Sequence, residues 1–99
     1  MANMKPSQAL HQNRQFVLDA AKQFRVTNLR VFGSAARQQD TESSDLDILV
    51  DTTSGATLFD LGGLQDELQE LLGLRVELLT ADDLPASFRA KVLAEAVPL

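Results

Sequence analysis

Cysteine, tryptophan and tyrosine are all absent from this chain of 99 residues. Without cysteine it can form neither a disulfide framework nor a thiolate zinc site. This absence suits a reducing compartment, so we expect a cytoplasmic location. No apolar run approaches the roughly 20 residues that a membrane helix needs, and residues 1–10 lack the apolar core of a signal peptide. We therefore expect a protein without disulfides or a membrane anchor.

Aromatic side chains are few, and basic residues are scarce in the last two thirds of the chain. Residues 1–37 carry six basic residues and one acidic residue, whereas residues 38–99 carry three basic and thirteen acidic residues, for a net charge of −5. Nucleic-acid binders usually combine a basic patch with stacking aromatics, and phenylalanine is the only aromatic type here. We expect no direct DNA or RNA contact, although the basic first third suits an acidic partner or phosphate.

The length and the apolar pattern predict one α/β domain over residues 1–99, with a small sheet covered by helices. Residues 1–6 are expected to be frayed. The predicted helices are 7–24, capped by Ser7; a short one over 33–39; one capped by Thr57 and stopped by Gly73; and a last one, capped by Asp82 or Asp83 and ended by Pro98. The predicted strands are 26–32, 46–50 and 75–80.

The apolar sides of the two later helices are predicted from residues at helical spacing. Leu58, Leu61, Leu64, Leu68 and Leu71 or Leu72 form one stripe, and Phe88, Val92 and Ala96 form the other. Gly62-Gly63 weakens the first of these helices, which predicts a bend or a late start.

The Asp45-Leu46-Asp47 motif opens the second predicted strand. Side chains alternate along a strand, so both carboxylates lie on one face while Leu46 faces the core. Carboxylates that repel each other are suited to a divalent cation such as Mg²⁺, which takes oxygen ligands. The alternative is an exposed acidic strand face without function.

The Gly33-Ser34 pair follows the first predicted strand. Glycine permits a tight turn and the close approach of a ligand, and the N–H groups at such a turn favour an anion such as phosphate. Arg37 adds a positive charge. The alternatives are an ordinary helix cap for Ser34 and a surface ion pair with Asp40 or Glu42 for Arg37. Together with the two aspartates, these parts suit a metal–nucleoside triphosphate.

The pattern G-S-x-x-R, followed by S-D-x-D and apolar residues, resembles the nucleotidyltransferase superfamily that includes DNA polymerase beta. In particular it resembles the minimal nucleotidyltransferases, antitoxins that are paired with HEPN-domain toxins. The resemblance extends from the first helix to the end of the chain and includes residues 58–64 and 89–99. It implies a nucleotidyltransferase fold with a mixed sheet, which transfers AMP from ATP–Mg²⁺ to a tyrosine of the toxin and so silences it.

Glu77 is the third candidate carboxylate, and it departs from the family, which usually has aspartate in this strand. If its strand lies beside that of Asp45 and Asp47, the three could hold two cations about 3.5–4 Å apart. The aspartates would bridge both ions, and Glu77 would hold the ion that activates the hydroxyl. A misplacement of about 1 Å can cost on the order of a hundredfold in rate, so glutamate bears on rate more than on binding. The alternative is a surface ion pair.

Two further features limit these hypotheses. Gln38 stands where the family commonly has glycine, which predicts a stiffer loop. His11, the only histidine, is best explained as a solvated helix residue.

Two other functions stay open. The first is a non-catalytic antitoxin that neutralises its toxin by contact. The second, ranked last, is a nucleotidyltransferase for a small molecule such as an aminoglycoside, because such enzymes carry further helical domains. The chain could act as a homo-oligomer or as a hetero-oligomer with the toxin.

Overall fold

The computed structural model describes residues 4–99 and confirms an α/β fold with a small mixed sheet. Its helices are α1 (Pro6–Gln12), α2 (Arg14–Gln23), α3 (Leu58–Leu72) and α4 (Ala86–Glu95). Its strands are β1 (Val26–Phe32), β2 (Leu46–Thr52), β3 (Val76–Leu79) and β4 (Val97–Pro98). The strand order is β3-β2-β1-β4; β1 is antiparallel to both β2 and β4, and β2 is parallel to β3.

The N-terminal helix differs from the prediction of one helix over 7–24. Asn13 has φ −112° and ψ 18°, and its side-chain amide donates to the Ala9 carbonyl at 2.8 Å, so the helix divides into α1 and α2 there. Residues 1–3 of the segment expected to fray lie outside the described residues. Pro6 does not fray, because it is buried and begins α1.

Ser7 is not the N-cap of this helix, because it already lies inside the first turn of α1. Its backbone N–H and its Oγ both donate to the Asp40 carboxylate, at 2.8 and 3.1 Å. Asp40 therefore satisfies a free N–H of the helix start from a distant loop, which is a task usually performed by a local cap.

Strand β2 lies at the centre of the core and is buried on both faces. Leu46, Ile48 and Val50 are fully buried in the core cluster that contains residues of α2 and α3. Leu49 is fully buried on the opposite face, in a second cluster with Phe32 and Leu84. Each such side chain contributes about 1.5–3 kcal/mol of burial free energy. This burial fixes the register of β2 and hence the position of Asp47 within it.

Helix α3 confirms both predicted ends. Thr57 and Asp60 form a capping box, and Gly73 follows the last turn in the left-handed conformation with φ 68°. The helix begins at Leu58, so the late start predicted from Gly62-Gly63 is wrong. A Cβ on Gly63 would lie 2.6 Å from the Phe24 ring, so this glycine makes room for α3 to pack on that ring.

The predicted apolar stripes are only partly confirmed. Leu64, Leu68 and Leu72 of α3 are buried, but Leu58 at its first position is 85% exposed. Phe88 of α4 is also exposed, whereas Val92 and Ala96 pack on the second cluster. No helix of residues 4–99 is both long and apolar enough to cross a membrane.

The C-terminal segment begins and ends differently from the prediction. Asp83 accepts hydrogen bonds from Thr80, at 2.9 and 3.0 Å, and thereby closes a 3₁₀ turn (Ala81–Asp83) rather than capping a helix. Helix α4 starts after Pro85 and ends at Glu95, so it does not reach Pro98. Val97–Pro98 instead forms β4, which pairs with Arg30 and Val31 of β1.

Candidate active site

The parallel pairing of β2 with β3 sets Asp47 directly opposite Glu77. Val76 and Leu78 point to the core and are buried, so Glu77 points to the other face, as the alternation predicts. Asp45 precedes β2 and lies two residues before Asp47, on the same side of the chain. The structure therefore brings together the three carboxylates that were singled out from the sequence.

The surroundings of Asp47 disfavour the charged form of its carboxyl. Burial, followed by the negative charges of Glu77 and Asp45 and a hydrogen bond with Glu77, raises the pKa of Asp47 to about 6. Arg75 is the nearby cation, with its Nε 4.0 Å from Asp45 Oδ2, but both side chains are at least half exposed. Solvent weakens such a pair. The negative charge around Asp47 is thus poorly compensated within the chain.

A divalent cation fits this charge pattern, although the protein does not present a complete cage. Among residues 4–99, no group of three or more His, Cys, Asp or Glu side chains is placed to hold a metal ion. Mg²⁺ is commonly bound by one or two carboxylates, with phosphates and waters completing its shell. Asp45 and Asp47 would be these ligands, while Glu77 pairs with Asp47 in register but does not complete a group of three. A cation held here would need phosphate or water oxygens to complete its shell.

Gly33 begins the turn after β1 (residues 33–38) and lies beside the Asp47 carboxylate. Its φ is 74°, and a Cβ at this position would lie 2.8 Å from Asp47 Oδ2. Phe32, the last residue of β1, pairs with Asp47 across the sheet, so the chain leaves β1 directly beside the carboxylate. Only glycine combines this backbone conformation with so close an approach. A ligand held at the turn would therefore also meet Asp47.

Residues 33–38 form consecutive turns, so the prediction of a short helix over 33–39 is wrong. The Arg37 N–H donates to the Gly33 carbonyl at 3.2 Å and the Gln39 N–H to the Ser34 carbonyl at 2.9 Å. Gln38 has φ 57°, a left-handed conformation that glycine adopts at lower cost. This explains in physical terms why a glycine suits position 38. Because no regular helix starts at Ser34, the helix-cap explanation for this residue is removed.

Arg37 forms an ion pair, as the alternative to phosphate binding predicted, but its partner is neither of the loop carboxylates Asp40 and Glu42. Its Nη1 lies 3.2 and 3.4 Å from the two carboxylate oxygens of Glu95, at the end of α4. The Gly33 N–H also donates to Glu95 Oε1, at 3.2 Å. Glu95 therefore binds the two groups that were predicted to bind phosphate. One weak sequence signal points to Glu95: an acidic residue at the C-terminal end of a helix opposes the helix dipole.

Asp40 is a second residue that sequence reasoning missed. It is only 5% exposed, the one buried charged residue in the described part of the chain. Burial raises the pKa of this carboxyl. Hydrogen bonds from Ser7 and from its own backbone N–H, together with the charge of Lys5, lower the pKa by more, so it lies below its usual range. Asp40 thus anchors the loop that follows residues 33–38 to the start of α1. His11, by contrast, is exposed on α1.

Comparisons with known proteins agree with this geometry. The profile of the nucleotidyltransferase domain family matches residues 14–99. The protein adenylyltransferase MntA of Thermococcus cleftensis is 40% identical over 76 residues, which cover 77% of this chain and 77% of that protein. A solved structure provisionally named a minimal nucleotidyltransferase is 38% identical and superposes with a TM-score of 0.87 over 100% of both chains.

A more distant solved structure shares the fold alone. It is described as a toxin–antitoxin with AMP-PNP and is 17% identical, with a TM-score of 0.72 over 87% of this chain and 71% of that one.

Proposed function

This chain belongs to the nucleotidyltransferase domain family, and we propose that it is an antitoxin that transfers AMP from ATP–Mg²⁺ to a tyrosine hydroxyl of a HEPN-domain toxin. The observation that carries the proposal is the contact between Gly33 and Asp47, opposite Glu77. It joins a turn suited to phosphate with carboxylates suited to a metal ion. These are the two components that nucleotidyl transfer requires.

The transfer is an in-line displacement at the α-phosphorus. The tyrosine oxygen forms a new bond to phosphorus while the bond to the bridging oxygen of the β-phosphate breaks, and pyrophosphate leaves. The hydroxyl proton passes to solvent. Asp45 and Asp47 would hold Mg²⁺, and Glu77 would contribute to the ion that activates the hydroxyl. When bound, the metal would supply neutralisation of the developing charge and a lower pKa of the attacking hydroxyl.

The polyphosphate contacts are assigned to the turn after β1. The Gly33 and Ser34 N–H groups and the Ser34 hydroxyl would hydrogen-bond the terminal phosphates, and the Arg37 guanidinium would pair with their charge. Gly33 permits the approach because it carries no Cβ. The chemistry these residues supply is positioning and neutralisation of charge.

The acceptor hydroxyl has to come from another molecule, because this chain contains no tyrosine. Two observations support a protein acceptor: the relative at 40% identity is named a protein adenylyltransferase, and a fold neighbour comes from a toxin–antitoxin. Large apolar side chains are also exposed on α3 and α4, with Leu58, Phe59 and Phe88 between 58% and 90% exposed. Such surface is typical of protein contact, so we assign the toxin to a hetero-oligomer with this chain, in the cytoplasm.

A second candidate function is a binding antitoxin without catalysis. Glu77 favours it, because glutamate places its carboxylate one methylene farther from the strand than the family's aspartate. Glu95 favours it as well, because it binds the donors that the phosphate would need. Mutation of the aspartates separates the two functions, since neutralisation by contact does not need a metal site.

The test is transfer of AMP from ATP labelled at the α-phosphate to the HEPN-domain protein encoded beside this chain. We expect label on a partner tyrosine with the wild type and with the control Glu67→Gln, whose side chain is exposed on α3. We expect no label with Asp45→Asn/Asp47→Asn. If no version transfers label while all versions still neutralise the toxin, catalysis is refuted and the binding function stands.

A further inference from the structure

A carboxylate of the chain itself lies in the turn that we assign to phosphate. Glu95 Oε1 accepts a hydrogen bond from the Gly33 N–H at 3.2 Å and another from Arg37 Nη1 at 3.2 Å, and Oε2 lies 3.4 Å from the same nitrogen. The Glu95 side chain is only 22% exposed. Two oxygens of one anion thus bind both a backbone N–H and a guanidinium, as a phosphate would.

The end of the chain holds this carboxylate in place. Glu95 is the last residue of α4, and Val97 pairs with Val31 two residues later. The Leu99 N–H then donates to the Leu29 carbonyl at 3.0 Å. Because β4 runs alongside β1, and β1 leads directly into Gly33, the junction between α4 and β4 is fixed next to the phosphate turn.

The position of Glu95 is electrostatically unfavourable apart from these contacts. A negative charge at the C-terminal end of a helix opposes the helix dipole. The Asp47 carboxylate, which lies beside Gly33, adds further negative charge. The hydrogen bonds from Gly33 and Arg37 are therefore what holds the Glu95 side chain at this site.

We infer that Glu95 is an internal competitor of the nucleotide: the triphosphate binds only when the Glu95 carboxylate leaves the Gly33 N–H and Arg37. One N–H donates one strong hydrogen bond, and two anions on one guanidinium repel each other, so phosphate and Glu95 exclude each other there. The inference rests on the proposed nucleotide site. It assigns Glu95 an autoinhibitory contact that keeps the affinity of the free chain for ATP–Mg²⁺ low.

The test is isothermal titration calorimetry of ATP–Mg²⁺ on wild type, Glu95→Gln and Glu95→Asp. Glutamine removes the charge, so we expect about tenfold tighter binding, the size of one lost charged hydrogen-bond competitor. Aspartate keeps the charge but is one methylene shorter. We expect it to bind more tightly than wild type by a smaller factor, which would attribute the effect to contact rather than to net charge.

The control is Glu67→Gln, which removes the same charge from the exposed face of α3, and we expect it to bind as wild type does. Thermal melting of each variant checks that the fold is intact. Equal or weaker binding by folded Glu95→Gln overturns the inference, because Glu95 would then only keep the turn in shape. If wild-type binding is also lost in Asp45→Asn/Asp47→Asn, the proposed site survives that result. If no version binds ATP–Mg²⁺, both the site and the inference are refuted.

Discussion

Replacement of Asp47 by asparagine should stabilise the folded protein at neutral pH in the absence of a divalent cation. The pKa of Asp47 rises from 3.8 to about 6 on folding, through burial and then the charges of Glu77 and Asp45. The folded state therefore binds a proton more tightly than the unfolded state. Stability is unaffected below about pH 4, falls as the pH rises through the window between 3.8 and about 6, and stays lowered above it.

The size of the effect follows from the shift. One pKa unit corresponds to about 1.4 kcal/mol, so the shift sets an upper limit of about 3 kcal/mol on the cost of ionised Asp47. Its carboxylate is partly exposed, and screening by solvent reduces this to about 1–2 kcal/mol. Asparagine keeps the shape without the charge. For a chain of this length, we expect a melting temperature about 5–12 °C higher than that of the wild type.

The assay is thermal or urea unfolding of both proteins with EDTA, at about pH 7.5 and again at about pH 4, the lower end of the linkage window. The gain should be present at the higher pH and absent at the lower one. Asp66→Asn, on the exposed face of α3, is the control and should change stability by less than about 0.5 kcal/mol. A variant that is less stable than wild type at about pH 7.5 would refute the argument, because the carboxylate would then be compensated within the fold.

Three other changes test the turn and its surroundings. Gly33→Ala should lower stability by about 1–3 kcal/mol in thermal melting and abolish nucleotide binding, because its Cβ would meet a carboxylate oxygen at 2.8 Å with φ at 74°; Gly62→Ala, with open space around it, is the control and should not destabilise the chain. Glu77→Asp should speed AMP transfer about tenfold in single-turnover assays by restoring the shorter ligand, and an unchanged or slower rate would contradict this. Asp40→Ala should cost about 1–3 kcal/mol in urea unfolding, because the Ser7 N–H and hydroxyl lose their acceptor. The loss should shrink as the pH falls through the lowered pKa of Asp40, because the wild-type carboxyl then becomes uncharged too. A loss that does not change with pH would contradict the role of the charge.

Local patterns predicted the parts of the fold that local forces determine. Strand β2 contains the buried run 48–50, and α3 has a capping box at one end and a left-handed glycine at the other. The motif and the family resemblance placed the Gly33 turn and Asp47 in one site, and the structure sets them side by side. Each of these features depends on residues close together in the sequence or on a motif of known spacing.

The failures have a different physical origin, because they depend on contacts that no local sequence pattern marks. Strand β4 is two residues long and contains a proline, so only its pairing with β1 reveals it. The break at Asn13 arises from a side-chain bond to the preceding turn, without a glycine or proline to mark it. Glu95 lies 58 positions after Arg37, and nothing near either residue in the sequence indicates that they meet.

One ligand could relieve both unfavourable charges of the site, those of Asp47 and Glu95. Ionised Asp47 is costly because it is partly buried beside Glu77 and Asp45, and the Glu95 carboxylate binds the donors of the turn. In the function we propose, a metal–nucleotide complex would change both at once, since the cation would compensate Asp47 while the phosphates would replace Glu95. Binding energy would then be used partly to displace an internal anion, which would lower affinity but leave Gly33 and Arg37 already oriented toward a negative charge. The free chain would thus keep an anion site in the shape that the proposed ligand needs.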